Sequence, residues 1–88
     1  MLQNKQIAVI GLGYVGLPLA IEFGKKYKVL GFDIKQHRIE ELTRGEDSTK
    51  EANIEDLKAV MTGSTAGTGL VFSSDVHALK NYNVYIVT

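Results

Sequence analysis

Ile7-Ala8-Val9-Ile10 runs directly into Gly11-Leu12-Gly13-Tyr14-Val15-Gly16, and these ten residues carry the strongest signal of the fold. The apolar, β-branched run suits a strand buried on both faces, as in a parallel sheet. The hexapeptide matches G-x-G-x-x-G. Glycine is common, so the pattern means little by itself. Placed directly after a strand and at the head of a helical pattern, it has the context its mechanism requires. Gly11 permits the tight turn, the missing side chain of Gly13 lets the backbone approach a pyrophosphate, and Gly16 lets the helix pack closely on the strand. Free N–H groups around Tyr14 and Val15 then face the anion, and the helix dipole favours its charge. The plain structural alternative is a glycine-rich turn with no ligand.

Outward from this stretch, the spacing predicts a helix over Tyr14–Lys26, with Val15, Leu19 and Phe23 as the inward stripe. Pro18 falls near its first turn, where N–H groups lack an intrahelical acceptor anyway. Val29–Phe32 reads as a second strand ending at Asp33. A helix from about Lys35 to Arg44 follows, with Ile39 and Leu42 inward and Gly45 as its stop. After a polar loop over 46–52, Asn53 can cap a helix carrying Ile54, Leu57, Val60 and Met61 on one face. Thr62–Gly69, with three glycines and four Ser/Thr residues, is a loop. Leu70–Phe72 is a third strand, Ser74 or Asp75 caps a short helix with Val76 and Leu79, and Val84–Val87 is a fourth strand. This alternation predicts an α/β fold: a Rossmann-type parallel sheet in the order 3-2-1-4. A full fold of this type has about six strands. Residues 1–88 therefore read as the N-terminal part of a dinucleotide-binding domain, truncated to about four strands, with substrate and catalytic domains absent.

Asp33 lies 17 residues after Gly16 and 22 after Gly11, where an acidic residue meets the adenosine ribose. A carboxylate there accepts hydrogen bonds from the ribose hydroxyls and repels a 2′-phosphate, so the expected cofactor is NAD and not NADP. Asp33 can also cap the helix that follows it. Arg38, five residues on, can pair with Asp33, lie along the adenine ribose, or belong to a solvated helix face.

Other residues carry no chemistry of their own in this reading. His37 and His77 lack a second ligand at metal spacing and are expected on the surface. Tyr82 and Tyr85 suit core or edge packing, and Glu40-Glu41 and Glu55-Asp56 suit solvated helix faces. There is no general acid/base pair and no activated nucleophile. Ten basic residues balance ten acidic ones, which gives no electrostatic call for nucleic acid or an anionic membrane. Hydrophobic residues make up 44%, enough for a core, and no apolar run is long enough for a bilayer span. The sequence holds no cysteine, which excludes a disulfide framework and cysteine catalysis within these residues and fits a cytoplasmic location. The polar start at Met1–Gln6 does not read as a signal peptide.

Ile7–Ala20, Gly31-Phe32-Asp33-Ile34, Arg38–Leu42 and Gly45 together resemble the UDP-glucose/GDP-mannose dehydrogenase family. Gly-Tyr-Val-Gly-Leu-Pro is a far more specific form of the fingerprint than the bare glycine pattern. Asn83–Thr88 is similar to the family's fourth strand, which normally continues into a Val-Pro-Thr-Pro segment. The Thr62–Gly69 loop departs from the family pattern. The resemblance implies an enzyme that oxidises the C6 alcohol of a nucleotide sugar to a carboxylate in two NAD-linked steps, through a cysteine-bound intermediate. It is nearest the branch acting on UDP-N-acetylhexosamines for surface polysaccharides. It implies cofactor roles for Gly11, Gly13, Tyr14, Val15, Gly16, Asp33 and Arg38. It carries over no catalytic residue, because the family's cysteine, lysine, asparagine and glutamate lie downstream; the 88 residues alone are expected to be inactive. A stand-alone module that senses NAD or a related nucleotide could begin with the same fold. A methyl-donor site fits less well, since its glycines seldom share this spacing with an Asp after strand two. The unblunted run Val84–Val87 is expected at a sheet edge that recruits a second copy of the chain.

Overall fold

Each apolar, β-branched run forms a strand in the computed structural model, which describes residues 6–13, 15–46, 54–62 and 68–88. The strands are β1 (Gln6–Ile10), β2 (Lys28–Phe32), β3 (Gly69–Ser73) and β4 (Val84–Val87). The helices are α1 (Gly16–Gly24), α2 (Gln36–Thr43) and α3 (Ile54–Thr62), with a 3₁₀ helix at Val76–Asn81 before β4. The sheet order is β3-β2-β1-β4 and every neighbouring pair is parallel. Ile10 lies opposite both Phe32 and Val87, so three strands end level with one another.

Side chains alternate across the sheet, as strand geometry demands. Ile7, Val9, Val29 and Leu70 join Leu17, Ala20, Ile21, Ile39, Leu42, Leu57 and Val60 in one core under α1–α3. Ala8 and Leu30 point to the other face, where Tyr82, Ala78 and Leu79 cover them.

The structure corrects the expected stripe of α1. Val15 is 60% exposed, and Leu19 and Phe23 are only half-buried; Gly16, Leu17, Ala20, Ile21 and Gly24 are the buried positions. The reason is the row Gly16, Ala20, Gly24, small residues at every fourth position. A helix approaches a sheet most closely along such a row, and this outweighs the pull of the bulkier residues on the next row. Pro18 sits in the first turn, where its missing N–H costs nothing.

In α2, Ile39 and Leu42 are buried as expected. Gly45 adopts φ +77°, its N–H donates to Leu42 O (2.9 Å), and the Glu46 N–H donates to Glu41 O (3.1 Å). This is the double C-terminal closure that a left-handed glycine permits. Glu41 contradicts its expected place on a solvated face: it is 6% exposed and pairs with Arg38. The short element before β4 is capped by Asp75, whose side chain accepts from the His77 N–H (2.9 Å), and not by Ser74. His37 and His77 are exposed. The expected loop over 46–52 beyond Glu46, the Asn53 cap, the interior of Thr62–Gly69 and Tyr14 lie outside the described residues.

Candidate functional site

Three chain segments converge beyond the level carboxyl ends of β2, β1 and β4: Asp33, the glycine turn and Thr88. In an open parallel sheet the place where strand order reverses, here between β1 and β4, leaves such a crevice.

Gly11 carries φ +98°, a left-handed conformation that bends the chain out of β1. Its N–H donates to Phe32 O at 2.8 Å. Gly16 is buried, and a Cβ there would lie 1.6 Å from the carbonyl oxygen of Gly11. Only glycine permits that contact. Gly13 is the opposite case: it is exposed, and a Cβ built on it meets nothing within 4 Å. Its missing side chain therefore serves no contact within the protein and leaves a bare stretch of backbone open to a ligand.

Helix α1 begins with Val15 as N-cap, with no side-chain cap and no acidic residue in the first turn. Its first internal hydrogen bonds run from Leu17 to Gly13 O (3.2 Å) and from Leu19 to Val15 O (3.3 Å). Among the described residues, the N–H groups of Gly13, Val15 and Gly16 have no acceptor within the protein, and an anion is the acceptor a helix N-terminus favours.

Asp33 stands half-buried beside this turn. Its Oδ2 accepts from the N–H of Leu12 (3.0 Å) and its Oδ1 from the N–H of Lys35 (3.0 Å). The second bond makes an Asx-type turn after β2 and not the cap of α2 considered from sequence. Each carboxylate oxygen keeps acceptor capacity for a hydroxyl.

Arg38 is 8% exposed, so it is not a solvated helix face. Its Nε and Nη2 donate to the carbonyl oxygen of Leu12 at 3.1 and 2.9 Å, and its Nη1 to Glu41 Oε1 at 3.3 Å. Leu12 itself is fully buried. From the other side, Thr88 Oγ1 donates to Gly11 O at 2.8 Å and the Thr88 N–H to Ile10 O at 2.9 Å.

Gly11, Gly16 and Asp33 thus come together with Val15 at one mouth. Leu12, Glu41 and Thr88 were not singled out from sequence. For Glu41 a signal was available: Arg38 and Glu41 are three apart and flank Ile39 and Leu42, so all four share the inward side of α2. Thr88 gives no such signal, because its role depends on strand register alone.

A family model described as "UDP-glucose/GDP-mannose dehydrogenase family, NAD binding domain" matches residues 5–88. A UDP-N-acetyl-D-glucosamine 6-dehydrogenase from Pseudomonas aeruginosa is 48% identical over 87 residues, which are 99% of this chain and 19% of that protein. Among solved structures, a UDP-D-ManNAc dehydrogenase from Pyrococcus horikoshii superposes with a TM-score of 0.84 at 38% identity, covering 94% of this chain and 19% of its own. A ternary complex of GDP-mannose dehydrogenase from Pseudomonas aeruginosa gives a TM-score of 0.75 at 26% identity, covering 93% and 19%. The chain spans about a fifth of the length of the curated relatives it matches, 19% and 18% for the first two.

Proposed function

The chain belongs to the UDP-glucose/GDP-mannose dehydrogenase family, as its NAD-binding domain, and on that premise we propose that it holds the adenosine side of NAD for a nucleotide-sugar 6-dehydrogenase. In this reading the pyrophosphate rests on the backbone of Gly11, Gly13, Tyr14, Val15 and Gly16. The adenosine ribose hydroxyls donate to Asp33, and Arg38 supports the turn beneath them. One observation carries the proposal. The Asp33 carboxylate is bonded to the N–H of Leu12 inside the glycine turn, which sets the ribose acceptor beside the open backbone at Gly13.

The substrate in this proposal is a UDP-N-acetylhexosamine, oxidised at C6 to the uronic acid. Support comes from the 48% identity to a protein named for that reaction on UDP-N-acetyl-D-glucosamine. The bound cofactor would supply hydride acceptance; these residues supply binding and orientation. The sequence has no cysteine to carry a covalent intermediate, so residues 1–88 alone are assigned no turnover. The relatives give no support to a non-catalytic sensing module. A cytoplasmic location and self-association through the β4 edge complete the proposal; the first rests on the cysteine-free sequence and the second on the outer side of β4, which no strand pairs among the described residues.

Calorimetric titration tests the cofactor assignment. Wild type is expected to bind NAD in preference to NADP, and Asp33→Ala to lose about 1.5–3 kcal/mol of NAD binding with its charge-assisted hydrogen bonds. Equal NAD affinity in the two proteins would refute the ribose assignment.

A further inference from the structure

We infer that Glu41, acting through Arg38, sets the direction of the Gly13 N–H that the turn offers to a pyrophosphate. This rests on the cofactor reading above.

The Leu12 carbonyl receives two of the Arg38 guanidinium's donors, Nε at 3.1 Å and Nη2 at 2.9 Å. That carbonyl and the Gly13 N–H belong to one planar trans peptide, so they point in opposite directions. Drawing the oxygen inward toward α2 turns the N–H outward, at a residue that is itself exposed with open space around it. The preceding peptide is fixed as well, because the Leu12 N–H donates to Asp33 Oδ2 at 3.0 Å. Leu12 thus has its N–H, its carbonyl and its buried side chain all held, and the next donor along the chain has one direction left.

Arg38 can act this way only if its own plane is fixed. Arg38 and Glu41 are both buried, at 8% and 6% exposure, and Glu41 Oε1 accepts from Nη1 at 3.3 Å. A buried guanidinium needs a counter-charge, and a carboxylate on its third nitrogen fixes the rotation of the planar fork. Glu41 is therefore a positioning residue. It has no assigned contact with the cofactor and lies three residues along α2 from Arg38.

The test is a double-mutant cycle read on NAD affinity, with amide exchange at Leu12 followed in the cofactor-free chain. Glu41→Gln, nearly isosteric, is expected to weaken NAD about tenfold and to speed exchange at the Leu12 amide, whose N–H is bonded to Asp33. Arg38→Lys keeps a charge beside Glu41 but cannot fork onto the Leu12 carbonyl, and is expected to do the same. The double variant is expected to be no more than about twofold worse than either single one, because both act on one route. A merely structural Glu41 would lower the unfolding temperature and leave the Kd of the folded variant at the wild-type value; that result overturns the inference. If Glu41→Gln does not fold, wild-type NAD affinity in Arg38→Lys overturns it equally. A wild-type chain that binds no NAD while its Leu12 amide stays protected would refute the cofactor reading instead, and the inference with it.

Discussion

Gly13 and Gly16 belong to one hexapeptide and do opposite work. Gly16→Ala would set a methyl group 1.6 Å from the Gly11 carbonyl oxygen, and the helix would have to leave the strand. Loss of the folded state is expected in thermal unfolding, beyond the roughly 4–5 kcal/mol that marks exceptional substitutions. Gly13→Ala has open space and no left-handed φ. Its stability is expected to stay within about 1 kcal/mol of wild type. NAD binding by calorimetry is expected to fall at least about tenfold, since the added methyl group would meet the pyrophosphate of the proposed binding mode. Unchanged affinity in a folded Gly13→Ala protein would remove the phosphate role from this turn. The close packing at Gly16 and the open backbone at Gly13 were legible from spacing alone, because the mechanism of the motif assigns each glycine a position. The clamp on Leu12 was not. The spacing of Arg38 and Glu41 sets both on the inward side of α2, but only the tertiary approach of α2 to the turn brings the guanidinium onto the Leu12 carbonyl.

At the scale of elements, all four strands and their order followed from β-branched runs separated by helical spacing. The facing of α1 did not. Two rows at period four compete in its sequence: Val15, Leu19 and Phe23 against Gly16, Ala20 and Gly24. Apolar bulk favoured the first, and close approach to the sheet selects the second. The C-terminus of α2 was read correctly, because a left-handed closure needs Gly45 whatever packs beside it. Gly45→Ala keeps the φ of +77° at a cost, and its Cβ would come within 3.1 Å of Lys58 Cε, the far end of a flexible side chain. The expected loss is about 1–2 kcal/mol, read as a fall of several degrees in the unfolding midpoint. NAD affinity is expected to stay unchanged, because the closure lies at the far end of α2 from Arg38.

For the whole molecule, the two faces of the sheet are covered unequally. Helices α1–α3 close one face; on the other, Val71, Tyr85 and Val87 are 55%, 50% and 76% exposed, and among the described residues no strand pairs with the outer side of β4. A parallel sheet is ordinarily covered on both faces, so this face and edge invite association. Sedimentation across a concentration series is expected to show self-association that Val87→Lys reduces without a change in unfolding temperature. The covered part of that face also carries a pH dependence. Burial against Ala8 and Leu30 raises the Tyr82 phenol above its ordinary value of 10.0. Its contribution to stability is therefore fully present below that value and is lost as pH rises through the higher folded-state value. Tyr82→Phe is expected to flatten the alkaline limb of a stability–pH profile. At the mouth between β1, β2 and β4, amide chemical shifts followed during an NAD titration read the glycine turn and Asp33 at once. Saturable shifts are expected at Gly11, Gly13, Val15, Gly16 and Asp33, with far weaker ones for NADP. No saturable shift at the glycine turn, or shifts confined to α3, would contradict the account.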